Sequence, residues 1–295
     1  MESFEEVAAL LPPELRVRAE SLPGLLQRRV EEIRLRGGRT PTVVVGREEL
    51  PLPGEGLVTR RDLERTVEIA TRASAHTALE HVRLGYFTVK GGHRIGLCGS
   101  VVLEEGRVKN LTHLSSLNLR VAHAVVGCGE EVLDRLFREG AFVSTLILAP
   151  PGGGKTTLLR DLCRLLGESH RVGLCDERGE VAALYDGVPQ FDVGERTDVL
   201  EGCPKAAGLL ALLRGMNPQI LSCDEITHPE DSQALSVCAN CGVKLLATVH
   251  AQSVDDLSRK PLYRELLERG IFGRTVILHR WEGSPVQVED LPWGG

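Results

Sequence analysis

The stretch A149-P-P-G-G-G-K-T-T157 decides how this chain is interpreted, because it has the form of a phosphate-binding loop whose first glycine is replaced by Ala149. Such a loop needs a strand that leads to the edge of a sheet, backbone N–H groups that curl around the phosphates, and a helix that begins there. The apolar run 143–148 predicts the strand, G152-G-G154 predicts the turn, and a helix is predicted over 156–166. Alanine is the smallest residue with a Cβ, so we expect the loop to tolerate it if its φ stays negative.

The side chains of this loop predict a nucleotide and metal site. Lys155 would reach the β- and γ-phosphates, and Thr156 would place its hydroxyl on Mg²⁺. The alternative is a glycine-rich turn that only connects a strand to a helix, but the sequence falls at the junction that a phosphate site requires. The residues expected to bind ATP are Pro151, Gly152, Gly153, Gly154, Lys155, Thr156 and Thr157.

A second strong pattern is I220-L-S-C-D-E225, a mostly apolar strand that ends in two carboxylates. We expect Asp224 to hold Mg²⁺, directly or through water, and Glu225 to orient and deprotonate the attacking water. A kinase has no use for such a base, so Glu225 favours hydrolysis over a small-molecule kinase. The complete set of loop and strand residues also argues against a scaffold that binds nucleotide without hydrolysing it.

Four further residues at strand ends are candidates for the same site. Thr248 and His250 end the apolar run 243–249, where a residue that senses the γ-phosphate would lie, although a lone histidine is also common as a structural residue. Asp176 and Glu177 follow the run 171–175 and offer more carboxylates near the metal; the alternative for them is a helix cap or an exposed ion pair.

Phosphoryl transfer also calls for an arginine, from the same chain or from a neighbour. Arg196, in D192-V-G-E-R-T-D198, and Arg214, just before G215-M-N-P218, flank the site in the sequence. Each could equally be an ordinary surface arginine.

The order of predicted elements divides the chain into two domains, residues 1–125 and 126–295, with a boundary at V126-G-C-G129. The first is predicted to be a smaller α+β domain. The second alternates strands and helices, which predicts an α/β P-loop core with a parallel sheet and helices on both faces. The first domain is predicted to contain helices over 5–18, broken at Pro12 and Pro13, and over 59–73 with Thr59 as N-cap. Its predicted strands lie near 33–36, 42–45, 86–89, 94–98 and 100–103, and a turn at Glu105 and Gly106 leads to a further strand at Val108. The second is predicted to add helices over 130–138, 204–214 and 229–239 and a strand over 219–223.

Composition and charge are those of an ordinary globular protein and argue against a general polyanion binder and a membrane-spanning protein. Hydrophobic residues make up 42% and charged residues 26% of the 295 residues, as in ordinary globular proteins. The net charge of −6 is uneven, with +2 in residues 1–125 and −8 in residues 126–295. No apolar run approaches the length of a membrane span, about 18 residues, and the acidic N-terminus is unlike a signal peptide, so we expect a cytosolic protein.

The cysteine pair in C238-A-N-C241 is the one spacing that suggests a metal site. It would need further ligands to bind zinc, and the alternative is that the two cysteines are buried thiols.

Several stretches outside the loop match a known family: E32-I-R-L-R36, G91-G-H-R-I-G96, V108-K-N-L-T-H-L-S-S-L-N-L-R120, P189-Q-F-D-V-G-E-R-T-D-V-L200 and C203-P-K-A206. They resemble the stage III sporulation protein AA family of endospore-forming bacteria, whose second domain is similar to the motor ATPases of type II and type IV secretion. The resemblance implies a RecA-like core and a Mg²⁺-dependent ATPase in the mother cell that forms a homo-oligomeric ring, which we expect to be hexameric. It also implies membrane-embedded sporulation channel proteins as partners, which would hold the protein at the membrane and link mother cell and forespore.

The chain departs from the secretion motors at two motifs. D224-E-I-T-H228 has Asp224 and Thr227 where those motors have glycine and arginine, and Arg214 stands one position further from Pro218 than their arginine motif asks. Those motors complete their nucleotide sites with residues of the first domain, so the resemblance makes Arg94 and Arg120 possible contributors.

The competing hypothesis is a nucleic-acid-dependent P-loop ATPase, such as a helicase loader or a translocase. Such a protein is expected to have a basic groove with aromatic side chains for stacking. Aromatic residues are only 4% of the chain, and the P-loop half is acidic. Nucleic acid is therefore the less favoured partner, although Arg28-Arg29 and Arg60-Arg61 keep the hypothesis open.

Overall fold

The computed structural model describes residues 2–71, 85–104, 107–279 and 286–291. The chain forms two compact units, Met1–His123 and Ala124–Gly295. Within the described ranges, no helix has both the length and the apolar character that a membrane span requires.

The first unit is an antiparallel sheet with helices packed on one face. Its strands run in the order β3-β2-β1-β6-β5-β4. Alternate residues of β1, such as Ile33 and Leu35, are fully buried against helix residues that include Phe4 and Leu63. The helices are α1 (Glu2–Ala8), α2 (Pro13–Glu20), α3 (Gly24–Gln27) and α4 (Arg60–Ala70), and the strands are β1 (Glu32–Arg36), β2 (Thr42–Val45), β3 (Glu48–Pro51), β4 (Tyr86–Thr88), β5 (Arg94–Glu104) and β6 (Arg107–Arg120).

The predicted start of α4 is confirmed. The Thr59 hydroxyl accepts the N–H of Asp62 at 3.2 Å, and the Asp62 carboxylate accepts the N–H of Thr59 at 2.8 Å, which is a capping box. The predicted end of that helix, residues 72 and 73, and the predicted turn at Glu105 and Gly106 lie outside the described residues.

The second unit is an α/β fold around a seven-stranded sheet in the order β13-β10-β14-β15-β9-β16-β17. Its helices are α5 (Glu130–Leu133), α6 (Lys155–Leu166), α7 (Lys205–Met216), α8 (Pro229–Asn240), α9 (Val254–Arg259) and α10 (Pro261–Glu268). The strands of the sheet are β9 (Thr145–Ala149), β10 (Val172–Asp176), β13 (Thr197–Glu201), β14 (Ile220–Cys223), β15 (Lys244–His250), β16 (Arg274–Ile277) and β17 (Gln287–Asp290). Two small hairpins pair β7 (Phe137–Arg138) with β8 (Ala141–Phe142) and β11 (Leu184–Tyr185) with β12 (Val188–Pro189).

Both faces of the central strands are buried, as expected for a parallel sheet between two layers of helices. In β9, Leu146 and Leu148 pack into the core under α7 and α8, whereas Ile147 packs into the core under α6. The predicted fold class is therefore confirmed.

Two details differ from the sequence analysis. The sheet is mixed, because β17 pairs antiparallel with β16 at one edge. The predicted helix over 130–138 is wrong beyond its first turn: α5 ends at Leu133, a 3₁₀ turn covers Asp134–Leu136, and β7 follows. Phe137 turns toward Phe142 there, with the ring centroids 5.7 Å apart, so hairpin packing replaces the rest of the helix.

Parallel strands end at a common edge of the sheet, and this brings the predicted site residues together. The loop follows β9, Asp176 ends β10, Asp224 follows β14, and His250 ends β15. In the register of the sheet His250 lies beside Ala149, and Cys223 lies beside Ala247.

Candidate active site

The loop backbone has the conformation that a phosphate cradle needs. Gly152 and Gly154 have φ of +72° and +84°, and Gly154 is the residue that precedes the first turn of α6. Ala149 is fully buried and keeps a negative φ, so the replaced glycine leaves the turn intact. The methyl group of Ala149 has a consequence for Gly153, where an added Cβ would lie only 2.9 Å from the Cβ of Ala149 and 2.9 Å from the carbonyl oxygen of Pro150.

Lys155 lies at the start of α6 with its side chain held inside the site. The residue is only 7% exposed, and its Nζ lies 2.7 Å from Nδ1 of His250. Burial lowers the pKa of Lys155, while the charges of Glu225 and Asp224 act in the opposite direction. A lysine ammonium only donates hydrogen bonds, so Nδ1 of His250 accepts here. Nε2 of His250 then carries its proton and donates to Oε1 of Glu225 at 3.0 Å.

Asp224 is the centre of a second set of contacts on the other side of the loop. Its Oδ2 accepts a hydrogen bond from the Thr156 hydroxyl at 2.8 Å, and its Oδ1 accepts one from the Thr248 hydroxyl at 2.5 Å. Thr248 is fully buried, and its Oγ1 also accepts the N–H of Glu225 at 2.8 Å. Thr248 therefore fixes the carboxylate of Asp224 and the backbone of Glu225.

Glu225 has an unusual backbone conformation for a residue with a side chain. Its φ is +35°, in the left-handed region that costs a non-glycine residue about 1–3 kcal/mol. Its N–H is held by Oδ1 of Asp224 at 3.0 Å in addition to Thr248. The side chain turns toward His250, and its second oxygen lies 3.8 Å from Nη1 of Arg178. Strain held in place by several contacts is typical of a functional residue.

Asp176 shapes the loop that follows β10. The residue is 1% exposed, and its two oxygens accept the N–H groups of Glu180, Val181 and Ala182 at 2.9 Å each. Burial raises the pKa of Asp176, and the three N–H donors act against that rise. Arg160, one turn into α6, donates to the carbonyls of Glu180 and Val181 at 2.6 Å each. The structure thus shows Asp176 fixing the backbone of a loop in which no helix begins between the described residues 177 and 204. Asp176 is therefore neither a helix cap nor an exposed ion pair, and its part near the metal stays a prediction.

The two candidate arginines are not brought to the loop within one chain. Arg196 immediately precedes β13, and Arg214 lies in the last turn of α7 before β14. Both are exposed and lie at the amino-terminal edge of the parallel strands, opposite the loop. Four or five strand residues separate the two edges by about 13–17 Å. Arg196 donates to the carbonyl of Ser169 at 3.0 Å, a contact with the end of the helix-to-strand connection.

The remaining candidates belong to elements other than the strands that end at the loop. Arg94 and Arg120 are directly opposite each other on β5 and β6 of the first unit, and Nε of Arg120 lies 3.4 Å from Oε1 of Glu32. Cys238 is buried and Cys241 is exposed, both as free thiols.

Two cations near the site were not among the predicted site residues. A pocket beside Asp224 is lined by five carboxylates, Asp176, Glu177, Glu180, Asp224 and Glu225. Arg178 and Lys205 share its wall. Arg178 adjoins a predicted carboxylate in the sequence, which was its only signal, whereas Lys205 was visible only as part of C203-P-K-A206.

The residues present fit a Mg²⁺–nucleotide complex. Mg²⁺ is usually bound by one or two carboxylate or hydroxyl oxygens together with substrate phosphates, and Asp224 and Thr156 supply such oxygens next to the loop. The loop glycines carry no side chains that could cover their N–H groups, and α6 begins with its positive end directly after Gly154. Phosphate groups would therefore meet Lys155, the loop N–H groups and the metal ligands together.

Comparison with known proteins gives one family and one fold. The sequence model described as "Sporulation stage III, protein AA" matches residues 2–291. The chain is 36% identical to Stage III sporulation protein AA of Bacillus subtilis (strain 168) over 286 residues, which cover 95% of this chain and 92% of that protein.

Among solved structures, the chain is similar to two ATPases of RecA-like fold. One is the ATPase DotB of Legionella pneumophila, with a TM-score of 0.55, 17% identity, and coverage of 84% of this chain and 72% of DotB. The other is the pilus retraction motor PilT with bound ADP, with a TM-score of 0.58, 16% identity, and coverage of 90% of this chain and 80% of PilT. At these identities the likeness concerns the fold.

Proposed function

This chain belongs to the sporulation stage III protein AA family, and on that basis we propose that it is a Mg²⁺-dependent ATPase that works as a motor. The observation that carries the proposal is the meeting of Lys155, Asp224 and Glu225 at one edge of a parallel sheet. A phosphate loop, a metal-binding carboxylate and a base for water are the parts that nucleotide hydrolysis requires.

In this proposal the loop binds the phosphates of ATP. The N–H groups of residues 152–157 and the positive end of α6 would surround the β-phosphate, and Lys155 would reach the β- and γ-phosphates. Thr156 and Asp224, whose side-chain oxygens lie 2.8 Å apart, are the residues that would hold Mg²⁺. When bound, Mg²⁺ neutralises charge on the transferred phosphoryl group.

Glu225 is the proposed base that orients and deprotonates the attacking water. In the structure its carboxylate is engaged by His250, and His250 in turn accepts from Lys155. Phosphate oxygens compete with His250 for Lys155, because the ammonium prefers an anionic acceptor. Binding of ATP would therefore change the contacts of His250 and, through it, those of Glu225, which gives His250 the role of a γ-phosphate sensor.

The motor itself is proposed to be a ring of copies of this chain, with six as the expected number. Arg196 and Arg214 lie on the edge opposite the loop, so either would act on the nucleotide of a neighbouring subunit. The ring would work in the cytoplasm of the mother cell, held at the membrane by embedded channel proteins that link mother cell and forespore.

Phosphate release by the purified chain in Mg²⁺ and ATP tests the enzymatic part. Lys155→Ala should lose nucleotide binding, and Glu225→Gln should bind ATP but not turn it over. The matched controls are Lys244→Ala and Glu268→Gln, exposed residues of the same unit that should leave both properties unchanged. Full turnover by Glu225→Gln would refute the assignment of the base. Strong stimulation of turnover by single-stranded DNA or RNA would favour the nucleic-acid-dependent ATPase instead.

A further inference from the structure

Lys205 is a buried cation in a place where its charge opposes the local secondary structure. The residue is 4% exposed and is the first residue of α7. The positive end of a helix dipole disfavours a cation in the first turn, and lysine is almost never fully buried without a partner. The position therefore needs an explanation outside the helix.

The partners of Lys205 are two carboxylates from other elements. Its Nζ donates to Oε2 of Glu177 at 3.0 Å and lies 3.9 Å from Oδ2 of Asp231. Burial alone would lower the pKa of Lys205, but its acidic neighbours outweigh burial and raise the pKa. Cys223 also lies nearby, and burial raises the pKa of that thiol well above its usual value, so the charges that balance Lys205 at neutral pH are the carboxylates.

Asp231 links Lys205 to the turn that carries the proposed base. The residue is 4% exposed, and Oδ2 of Asp231 accepts the N–H groups of Thr227 and His228 at 3.1 Å each. These two bonds close the chain between Glu225 and the start of α8. The same oxygen is the one that approaches Lys205, so the ammonium stabilises the acceptor of that turn.

Glu177 links Lys205 to the other wall of the pocket. It directly follows Asp176, whose loop is fixed by backbone hydrogen bonds, and it lines the pocket together with Asp224 and Glu225. The contact with Lys205 holds one oxygen of Glu177 and sets the direction of the carboxylate. Carboxylates that do not touch the metal commonly orient its water ligands through hydrogen bonds.

We propose that Lys205 is a positioning residue of the ATP site: it holds Glu177 and the Thr227–Asp231 turn in place, so that Glu177 accepts a hydrogen bond from a water on Mg²⁺ beside Asp224. The inference rests on the proposed function, since it assigns a role within the same site.

The test measures the affinity for a non-hydrolysable ATP analogue by calorimetry, with Mg²⁺ and with EDTA, together with ATP turnover. In Lys205→Met we expect the gain in affinity that Mg²⁺ provides to shrink by about 10–100-fold, with a similar fall in kcat. Binding in EDTA should stay within about twofold, because the loop and Lys155 are untouched. Lys244→Met, an exposed lysine at the far end of β15, is the matched control and should behave like the parent chain.

Lys205→Met leaves a buried carboxylate without its cation, so two further variants separate folding from positioning. Lys205→Met with Asp231→Asn removes the unbalanced charge and keeps an oxygen for the two N–H groups. Glu177→Gln leaves Lys205 in place and changes a half-exposed side chain. Both should show the same loss of the Mg²⁺ effect, and combining Glu177→Gln with Lys205→Met should add little further loss.

The inference would be overturned if Lys205→Met with Asp231→Asn folds and matches the parent in kcat and in the gain of analogue affinity that Mg²⁺ provides. A normal gain of affinity with Mg²⁺ in Glu177→Gln would also overturn it. Failure of the proposed function looks different. The parent chain itself would then show no Mg²⁺-dependent binding of the analogue, and the inference would fall with it.

Discussion

Replacement of Thr248 by valine removes one hydroxyl and changes the shape of the side chain very little. That hydroxyl donates to Asp224 at 2.5 Å and accepts the N–H of Glu225 at 2.8 Å, inside a fully buried part of β15. A hydrogen bond to a charged group contributes about 1.5–3 kcal/mol, so we expect Thr248→Val to lower the free energy of unfolding by about that amount. The N–H of Glu225 keeps its second acceptor on Asp224, which limits the loss.

The larger effect of Thr248→Val should appear in turnover. Asp224 and Glu225 would both lose the group that fixes them, and changes of this kind behind a metal ligand lower activity by about 10–100-fold. Urea unfolding and steady-state ATP turnover at saturating Mg²⁺ measure the two effects. Thr145→Val is the matched control, because Thr145 is also fully buried but donates to the carbonyl of Val143 at the other end of β9. It should lose stability and keep its turnover. Turnover of Thr248→Val within twofold of the parent would refute the reasoning.

Three other predictions address the loop, the first unit and the ring. Gly153→Ala should weaken nucleotide binding and destabilise the protein by about 1–3 kcal/mol, because the added Cβ would collide with the Cβ of Ala149. Calorimetry measures the binding and urea unfolding measures the stability; normal nucleotide binding by the variant would contradict the prediction. Burial lowers the pKa of His93, so the stability that its neutral form provides is present above about pH 6.5 and is lost as the pH falls through the folded pKa. His93→Gln should therefore reduce the change in the urea midpoint of unfolding between about pH 7.5 and about pH 5.5. An unchanged dependence of that midpoint on pH would count against this prediction. If Arg214 acts across subunits, an equal mixture of inactive Arg214→Ala and inactive Lys155→Ala chains should recover about a quarter of the parent's turnover, whereas a mixture as inactive as its parts would exclude that role.

The loop edge of the second sheet could be predicted from the sequence because its signals are local. Glycines that need positive φ, the apolar runs before them and the helix after them are all contiguous in 143–166, and the strand that ends in Asp224 and Glu225 is equally local. Parallel strands then bring their carboxyl ends to one edge, so the meeting of these residues follows from the fold class.

Other features depend on contacts between distant parts of the chain, and no local pattern indicated them. Lys205 is buried because Glu177 and Asp231 arrive from two other elements. The role of Thr248 in holding Glu225 requires the register between β14 and β15, which is set by packing of the whole sheet. Arg196 and Arg214 flank the loop and the Asp-Glu strand in the sequence, but each precedes a strand and therefore lies at the edge opposite the loop.

The rate of ATP hydrolysis per subunit, measured against the concentration of the chain with Lys155→Ala as the blank and with molar mass followed in parallel, tests the central proposal most directly. We predict a rate that rises with concentration as the mass moves from one chain toward a ring, because a neighbouring subunit completes each site. Phosphate release no higher than that of the blank at concentrations where the ring is fully formed would contradict the proposal.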